Sequence, residues 1–193
     1  MNKIKYLLVM IFALLTISGC ACKKEDDNKT IQFNHYIRGG GSETLDANIL
    51  WEYSNDTFTK YQVAYTSYVC SDSSVNYINV IYIEITSKGT KDDAMIRNIS
   101  FSTINEGTEF TVGLWGDYKN SRINFYEGIE SELLPKIKHS KYAFIKEIAD
   151  KGYGNYKNIE GLNSDLITSG TISASNIVSI VKAIFDYHLE NYY

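Results

Sequence analysis

The sequence predicts an α+β fold, in which an antiparallel sheet from the first half of the chain is covered by helices from the second half. Up to residue 115, short segments rich in β-branched and aromatic residues alternate with polar turns. Beyond residue 125, apolar residues recur at helical spacing. A chain of 193 residues with one such change of pattern fits a single domain.

Five segments are predicted as β-strands. Turn-forming residues separate them, for example Ser54-Asn55-Asp56 between the first two strands. Connections this short favour antiparallel pairing of strands that follow each other, because parallel strands need a crossover of a dozen or more residues. The predicted strands are residues 47–53, 58–70, 75–87, 96–104 and 109–115.

Three segments are predicted as helices, at residues 126–138, 141–150 and 175–192. In the last one, the apolar residues and His188 fall on one face, so His188 is expected to be packed or half-buried. Ser173 or Ser175 is expected to cap its N-terminus, because hydroxyl oxygens accept hydrogen bonds from the unpaired N–H groups there.

The start of the chain has the layout of a secretory signal peptide. Lys3 and Lys5 precede an apolar run at residues 6–17, which is shorter than the roughly 20 residues needed to span a bilayer. The residues that lead to Cys20 resemble the lipobox of bacterial lipoproteins, which implies that Cys20 carries a lipid and that the chain is cut before it. The expected organisation is a signal peptide at residues 1–19, a lipidated flexible tether at residues 20–30 and one domain at residues 31–193, anchored at the extracytoplasmic face of the cell membrane.

The formal net charge of −4 leads to the expectation that the chain has no nucleic-acid partner. Binding to DNA or RNA normally depends on a positively charged surface that neutralises phosphates. The removal of Lys3 and Lys5 with the signal peptide makes the chain more acidic still.

The cysteines and histidines give no prediction of a metal site. His35, His139 and His188 are far apart in the sequence and are not at the spacing of metal ligands. Two interpretations remain for the other cysteines. Either Cys22 and Cys70 form a disulfide, or Cys70 is a small buried apolar residue and Cys22 stays free.

One motif precedes the last predicted helix. Asp165, Thr168, Thr171 and Ser173 stand at the spacing of a signature that reads Asp, two residues, Ser or Thr, Gly, Ala, Thr, one residue, and Ser or Thr. At these positions the chain resembles the FMN-binding domain family of exported flavoproteins. It departs from the family where Ser169 replaces Gly and Gly170 replaces Ala.

The resemblance implies an FMN-binding-domain-like fold and an FMN cofactor. In that family a flavin transferase joins the phosphate of FMN to the hydroxyl of the last Thr of the motif, which by position is Thr171. The other implied cofactor-binding residues are Asp165, Thr168, Ser169, Gly170 and Ser173. Candidates for a wall beside the flavin ring are Trp115, Tyr118, Tyr153 and Tyr156, and no residue is assigned a catalytic role.

The function implied by this resemblance is electron transfer at the cell envelope. The chain would be a membrane-tethered carrier with a redox partner, more than an enzyme with its own substrate. The alternative is a cofactor-free surface lipoprotein that binds a ligand or a partner protein through its tyrosine-rich surface. The visible absorbance of flavin distinguishes the two.

Overall fold

In the residues that it describes, a computed structural model of the chain contains five β-strands that follow each other along the sequence. It describes residues 29–37, 39–68, 76–101, 129–165, 167 and 171–193. The strands are β1 Lys29–Tyr36, β2 Ser42–Ser54, β3 Phe58–Tyr68, β4 Asn76–Thr86 and β5 Ile96–Phe101. Each strand pairs antiparallel with the next, in the order β1-β2-β3-β4-β5. The predicted α+β class, with an antiparallel sheet and C-terminal helices, is therefore confirmed.

The strand at the edge of the sheet, β1, was not predicted from the sequence. Its buried residues Ile31 and Phe33 alternate with exposed polar residues, and a charged segment precedes them. The strand therefore has too few apolar residues to be recognised from the sequence. The other four described strands correspond to the first four predicted ones. The predicted strand at residues 109–115 lies outside the described residues.

The helices are α1 Leu134–Ile137, α2 Tyr142–Ala149 and α3 Thr171–Tyr192, and a π-helical turn at Ile129–Leu133 precedes α1. They correspond to the three predicted helical segments, but α3 begins four residues earlier than expected. Ser173 and Ser175 consequently lie inside the helix and do not cap it. The Ser175 hydroxyl donates to the carbonyl oxygen of Thr171 at 2.6 Å, a bond to the preceding turn that serine often makes within helices.

The core lies between one face of the sheet and α3. Side chains alternate between the two faces of each strand, so Tyr61, Ile83 and Ile99 of neighbouring strands all point toward the helices and are buried. Fifteen of the 22 residues of α3 are buried, because the helix contacts β1, β3, α2 and the 3-10 turn at Asn155–Asn158. A helix covered on several sides is apolar around most of its circumference and not only along one stripe.

The outer edge of β1 is joined to α3 by a buried asparagine. The backbone N–H of Tyr36 donates to Oδ1 of Asn176 at 2.6 Å, and Nδ2 of Asn176 donates to the carbonyl oxygen of Tyr36 at 3.1 Å. Asn176 thus pairs the outward-facing backbone groups of the edge strand as another strand would. At the opposite edge, the backbone of residues 139–141 covers the start of β5, where Ile96 N–H donates to the carbonyl oxygen of Ser140 at 3.0 Å.

His188 forms a second buried polar link between α3 and the sheet, and its burial confirms the sequence-based expectation. Its Nδ1 lies 2.8 Å from the hydroxyl of Tyr61 and its Nε2 lies 2.8 Å from the carbonyl oxygen of Thr86. Because a carbonyl oxygen can only accept, Nε2 carries the proton and Nδ1 accepts from Tyr61. Burial lowers the pKa of His188 below the ordinary value of 6.5, since removal of solvent penalises the charged imidazolium.

In the part of the chain that the structure describes, no helix is both long enough and apolar enough to cross a membrane.

We expect Asn176→Ala to lower the free energy of unfolding by about 2 to 4 kcal/mol, because it leaves the buried N–H and carbonyl groups of Tyr36 without these partners. Asn191→Ala on the same helix is the matched control. Asn191 is exposed and donates only to the carbonyl oxygen of Tyr187, so the control is expected to stay within about 0.5 kcal/mol of the parent. Urea unfolding followed by circular dichroism measures both, and equal losses would contradict the role of Asn176.

We expect the free energy of unfolding to decrease as the pH falls below about 6.5, toward pH 5. The folded-state pKa values of His35 and His188 are both lowered by burial, so the unfolded chain takes up these protons at a higher pH than the native chain. The stabilisation is complete above pH 6.5, and each buried histidine contributes a slope of up to about 1.4 kcal/mol per pH unit below it. Urea titrations at pH 5.0 to 7.5 measure the slope.

The matched pair for this experiment is His188→Gln and His139→Asn. His188→Gln should reduce the slope because it removes one titrating group. His139→Asn is the control in which a surface histidine is replaced, because His139 is exposed and asparagine tolerates its positive φ of 66°. An unchanged slope in His188→Gln would contradict the effect of burial on His188, because it would show that this residue takes up its proton at the same pH in the native and the unfolded chain.

Candidate functional site

The face of the sheet that points away from α3 presents two rows of side chains, which we call the open face. The first row crosses the strands from Trp51 through Gln62 and Tyr82 to Ser100. The second row runs from Tyr53 through Lys60 and Glu84 to Asn98. Neighbours in each row lie on adjacent strands, roughly 4.8 Å apart.

A β-bulge in β2 brings both aromatic residues of that strand onto the open face. Ile49 pairs with Val63 and Trp51 pairs with Gln62, so Leu50 is an extra residue that shifts the alternation by one. Ile49 before the bulge is buried, whereas Trp51 and Tyr53 after it are 49% and 48% exposed. Their rings are nearly parallel, at an interplanar angle of 7°, with centroids 6.1 Å apart.

A third exposed aromatic ring lies across the sheet on β4. Tyr82 is 39% exposed, and its hydroxyl accepts a hydrogen bond from Nε2 of Gln62 at 3.0 Å. Trp51, Tyr82 and Ser100 line a depression of about 260 Å³ together with Lys60, Glu84 and Asn98. Exposed aromatic rings that cluster on one face make that face a candidate binding surface, because contiguous apolar patches on a protein surface often serve in binding.

Two cations and one anion lie beside these rings. Glu84 accepts from Lys60 at 3.3 Å and from Arg97 at 3.1 Å. Lys60 Nζ and Arg97 Cζ also lie 5.1 Å and 4.7 Å from the ring centroid of Phe58. The cations exceed the carboxylates in this group, so the open face has a locally positive centre within an acidic chain.

A second concave region, which we call the edge cleft, lies where the outer edge of β1 meets the end of α2 and the middle of α3. Its volume is about 690 Å³, and its lining is mostly polar, with Asn34, Tyr153 and Ser179 among the residues. The charged residues that line it are Asp150, Lys182 and Asp186.

The carboxylates of the edge cleft are held by ion pairs along the helices. Lys146 Nζ donates to Asp150 at 2.5 Å, and this ammonium lowers the pKa of the Asp150 carboxyl below its usual value. Asp186 accepts from Lys182 at 2.6 Å and from the hydroxyl of Tyr142 at 2.7 Å. The cleft thus contains an ionised carboxylate and an ammonium group that face the same space.

Only some residues of the predicted FMN-binding motif lie in the described part of the chain. Asp165 is exposed and Ser173 is buried within α3. Thr171 is half-buried, and its hydroxyl lies 2.9 Å from that of Tyr156. Thr168, Ser169 and Gly170 lie outside the described residues, as do Cys20, Cys22 and Cys70.

The residues proposed as a wall for the flavin ring do not gather at one place in the described structure. Tyr156 is fully buried, whereas Tyr153 is 41% exposed at the edge cleft. Trp115 and Tyr118 lie outside the described residues. Among the residues that the structure describes, no three His, Cys, Asp or Glu side chains lie close enough together to hold a metal ion.

Comparison with known families identifies the chain as a relative of nucleases. The family model described as Viral/Archaeal nuclease matches residues 5–152, which is more than half of the chain. The chain belongs to this family. The matched residues include the five described strands, α1 and α2. The match ends before α3. No curated protein and no solved structure matches it.

The family match overturns the resemblance to FMN-binding domains. The assignment of an FMN cofactor at Thr171, the electron-carrying function and the associated flavin transferase and redox partner were wrong. The alternative of a surface lipoprotein that binds a ligand or partner without a cofactor has no support from the match either. The physical reason is that a short Ser/Thr/Gly-rich segment before a helix is common in unrelated folds, because these residues satisfy backbone groups at turns.

The expectation of no nucleic-acid partner is contradicted by the same match. Net charge is summed over the whole chain, whereas a nucleic acid contacts one surface. An acidic chain can therefore still place cations together on one surface, as it does with Lys60 and Arg97, which share the carboxylate of Glu84.

Sequence reasoning missed the open face as a candidate site. The aromatic residues of β2 and β4 served as evidence for strands and, in general terms, for a tyrosine-rich surface, but their place together on one face of the sheet was not predicted. In residues 81–85, Tyr82 and Glu84 alternate with Ile81, Ile83 and Ile85, which places the ring of Tyr82 on the side opposite the core. The bulge at Leu50 hid the same pattern in β2.

Proposed function

We propose that this chain cleaves phosphodiester bonds in nucleic acid and that the edge cleft is the place of reaction. The observation that carries the proposal is the match of residues 5–152 to the viral/archaeal nuclease family. The cleft supports it because it is large, polar and open, and because it brings a carboxylate and an ammonium group to one space.

The chemistry of phosphodiester hydrolysis fits these two groups. Water must lose a proton as its oxygen bonds to phosphorus, and negative charge grows on the phosphate oxygens as the bond to the leaving oxygen breaks. Asp150 lines the cleft, and its ion pair with Lys146 lowers the pKa of its carboxyl, so it is a carboxylate at neutral pH. A carboxylate can accept the proton of the attacking water, although the ion pair makes Asp150 a weaker base than an unpaired aspartate. Lys182 provides positive charge near the phosphate, and the leaving oxygen takes its proton from solvent, to which the cleft is open.

Asp186 has a positioning role in this proposal. Its carboxylate holds Lys182 at 2.6 Å and is itself held by the Tyr142 hydroxyl at 2.7 Å. These contacts fix the ammonium group at the wall of the cleft. The residues come from different parts of the chain, since Asp150 lies within the family match whereas Lys182 and Asp186 lie on α3 beyond it.

The predicted lipid on Cys20 gives the proposed activity a location. Cys20 lies outside the described residues. With a lipid at this position, the nuclease would be held at the extracytoplasmic face of the cell membrane, where it would meet nucleic acid from outside the cell. Mass spectrometry of the N-terminal peptide from the membrane fraction tests the modification independently of activity.

We expect the purified full chain to cut fluorophore–quencher oligonucleotides, and Asp150→Asn to slow cleavage by about 100-fold, since general-base catalysis typically contributes factors of this size. Substrates are single-stranded DNA, RNA and duplex DNA, each assayed with Mg²⁺, with Mn²⁺ and in EDTA. Lys182→Gln should also slow cleavage, because it removes the positive charge beside the phosphate.

Glu147→Gln is the matched control for Asp150→Asn. Glu147 is exposed on α2, three residues from Asp150, and is not among the residues that line the cleft. It should cut at the parental rate. If the parent cuts none of the substrates under any of these conditions, the proposed function is wrong. If the parent cuts and Asp150→Asn cuts equally well, the reaction takes place elsewhere on the chain.

A further inference from the structure

The open face has the properties of a surface that stacks unpaired bases. It presents three exposed aromatic rings, with Trp51 and Tyr53 on β2 and Tyr82 on β4 of the same sheet. Aromatic rings on a sheet bind single strands because each base has a π face that can lie against a ring. The rings of Trp51 and Tyr82 are two strands apart, about 10 Å, so different bases could reach them.

The charges on the open face complement a phosphate backbone. Lys60 and Arg97 lie in or beside the second row, next to the aromatic rings, and both contact the same carboxylate, Glu84. A phosphate oxygen has the charge and the acceptor geometry of that carboxylate and can take its place beside either cation. The arrangement alternates ring and cation across the sheet, as a strand alternates base and phosphate.

We propose that the open face binds single-stranded nucleic acid, with bases stacked on Trp51 and Tyr82 and phosphates beside Lys60 and Arg97. Duplex nucleic acid fits this surface poorly, because the faces of paired bases are covered by their neighbours in the stack. The surface also has few cations, whereas duplex binding normally depends on many phosphate contacts. The inference deepens the proposed function, on which it rests for the class of ligand, and it assigns the substrate as single-stranded.

The open face is separate from the edge cleft, so binding and cleavage can be tested apart. The open face comprises residues of β2 to β5, whereas the cleft lies at the outer edge of β1 against α2 and α3. Substitutions on the open face should change the affinity for a single strand and leave the groups of the cleft in place.

The test measures binding of a fluorescein-labelled 16-nucleotide oligo(dT) to the full chain by fluorescence anisotropy. EDTA is present, and gels confirm that the oligonucleotide stays intact. Trp51→Leu and Tyr82→Leu should each raise the Kd by about tenfold, since loss of one base–aromatic stack has an effect of this order. Trp51→Phe and Tyr82→Phe, which keep a ring, should stay within about threefold of the parent.

A second readout uses the fluorescence of Trp51 itself. The chain has two tryptophans, so Trp115→Phe leaves Trp51 as the source of tryptophan emission. Addition of unlabelled oligo(dT) should quench this emission if a base stacks on the ring. The logarithm of the binding constant should fall with the logarithm of salt concentration with a slope no steeper than about −1.4, because two phosphates at most meet Lys60 and Arg97.

Several outcomes would overturn the inference. These are no binding of oligo(dT), equal affinity of Trp51→Leu and the parent, or a duplex of the same length that binds as tightly as the single strand. The outcomes for this inference and for the proposed nuclease function can be distinguished. Binding without cleavage would leave this inference standing and remove the nuclease proposal, whereas cleavage unaffected by Trp51→Leu and Tyr82→Leu, with unchanged affinity, would do the reverse.

Discussion

Burial of α3 against one face of the sheet is the constraint on which the rest of the structure depends. A five-stranded antiparallel sheet has two faces, and its core forms only where another layer excludes water from one of them. The apolar residues of α3 do this along most of the helix. Two buried polar contacts fix the position of the helix, with Asn176 at the edge of β1 and His188 between Tyr61 and Thr86. These hydrogen bonds are directional, whereas apolar contacts are not, so they specify how the helix lies on the sheet.

Among the described residues, the opposite face of the sheet is not covered by a helix. In the described residues, all three helices lie on the core side or at the edges of the sheet. Side chains that alternate with the core residues therefore face outward, and in β2 and β4 these include aromatic rings. The second concave region, the edge cleft, is lined by residues of β1, of the end of α2 and of the middle of α3. The packing of the helices against one face of the sheet thus produces both the open face and the edge cleft.

The two errors in functional interpretation have different physical origins. The resemblance to FMN-binding domains depended on one short motif around Thr171, and such motifs recur because Ser, Thr and Gly satisfy turns and helix ends in many folds. In the structure, Thr171 is the first residue of α3 and its hydroxyl contacts that of Tyr156. The exclusion of nucleic acid depended on net charge, a quantity that contains no information about where Lys60 and Arg97 lie. A family model that matches residues 5–152 compares a far longer stretch of sequence than the motif does, and it uses the order of the residues, which net charge ignores.

The sequence by itself determined the α+β class, the four strands from β2 to β5 and the three helices, because periodicities of two and of 3.6 residues are local properties of the chain. It did not determine β1, whose apolar residues are too few to stand out, or the start of α3. Only the tertiary structure decided which side chains share a surface. The bulge at Leu50 turns Trp51 and Tyr53 outward, and no local pattern reveals it, because a shift of one residue reverses the faces of everything that follows. The edge cleft likewise joins Asp150 to Lys182 across 32 positions of sequence, a proximity that depends on how α2 packs against α3.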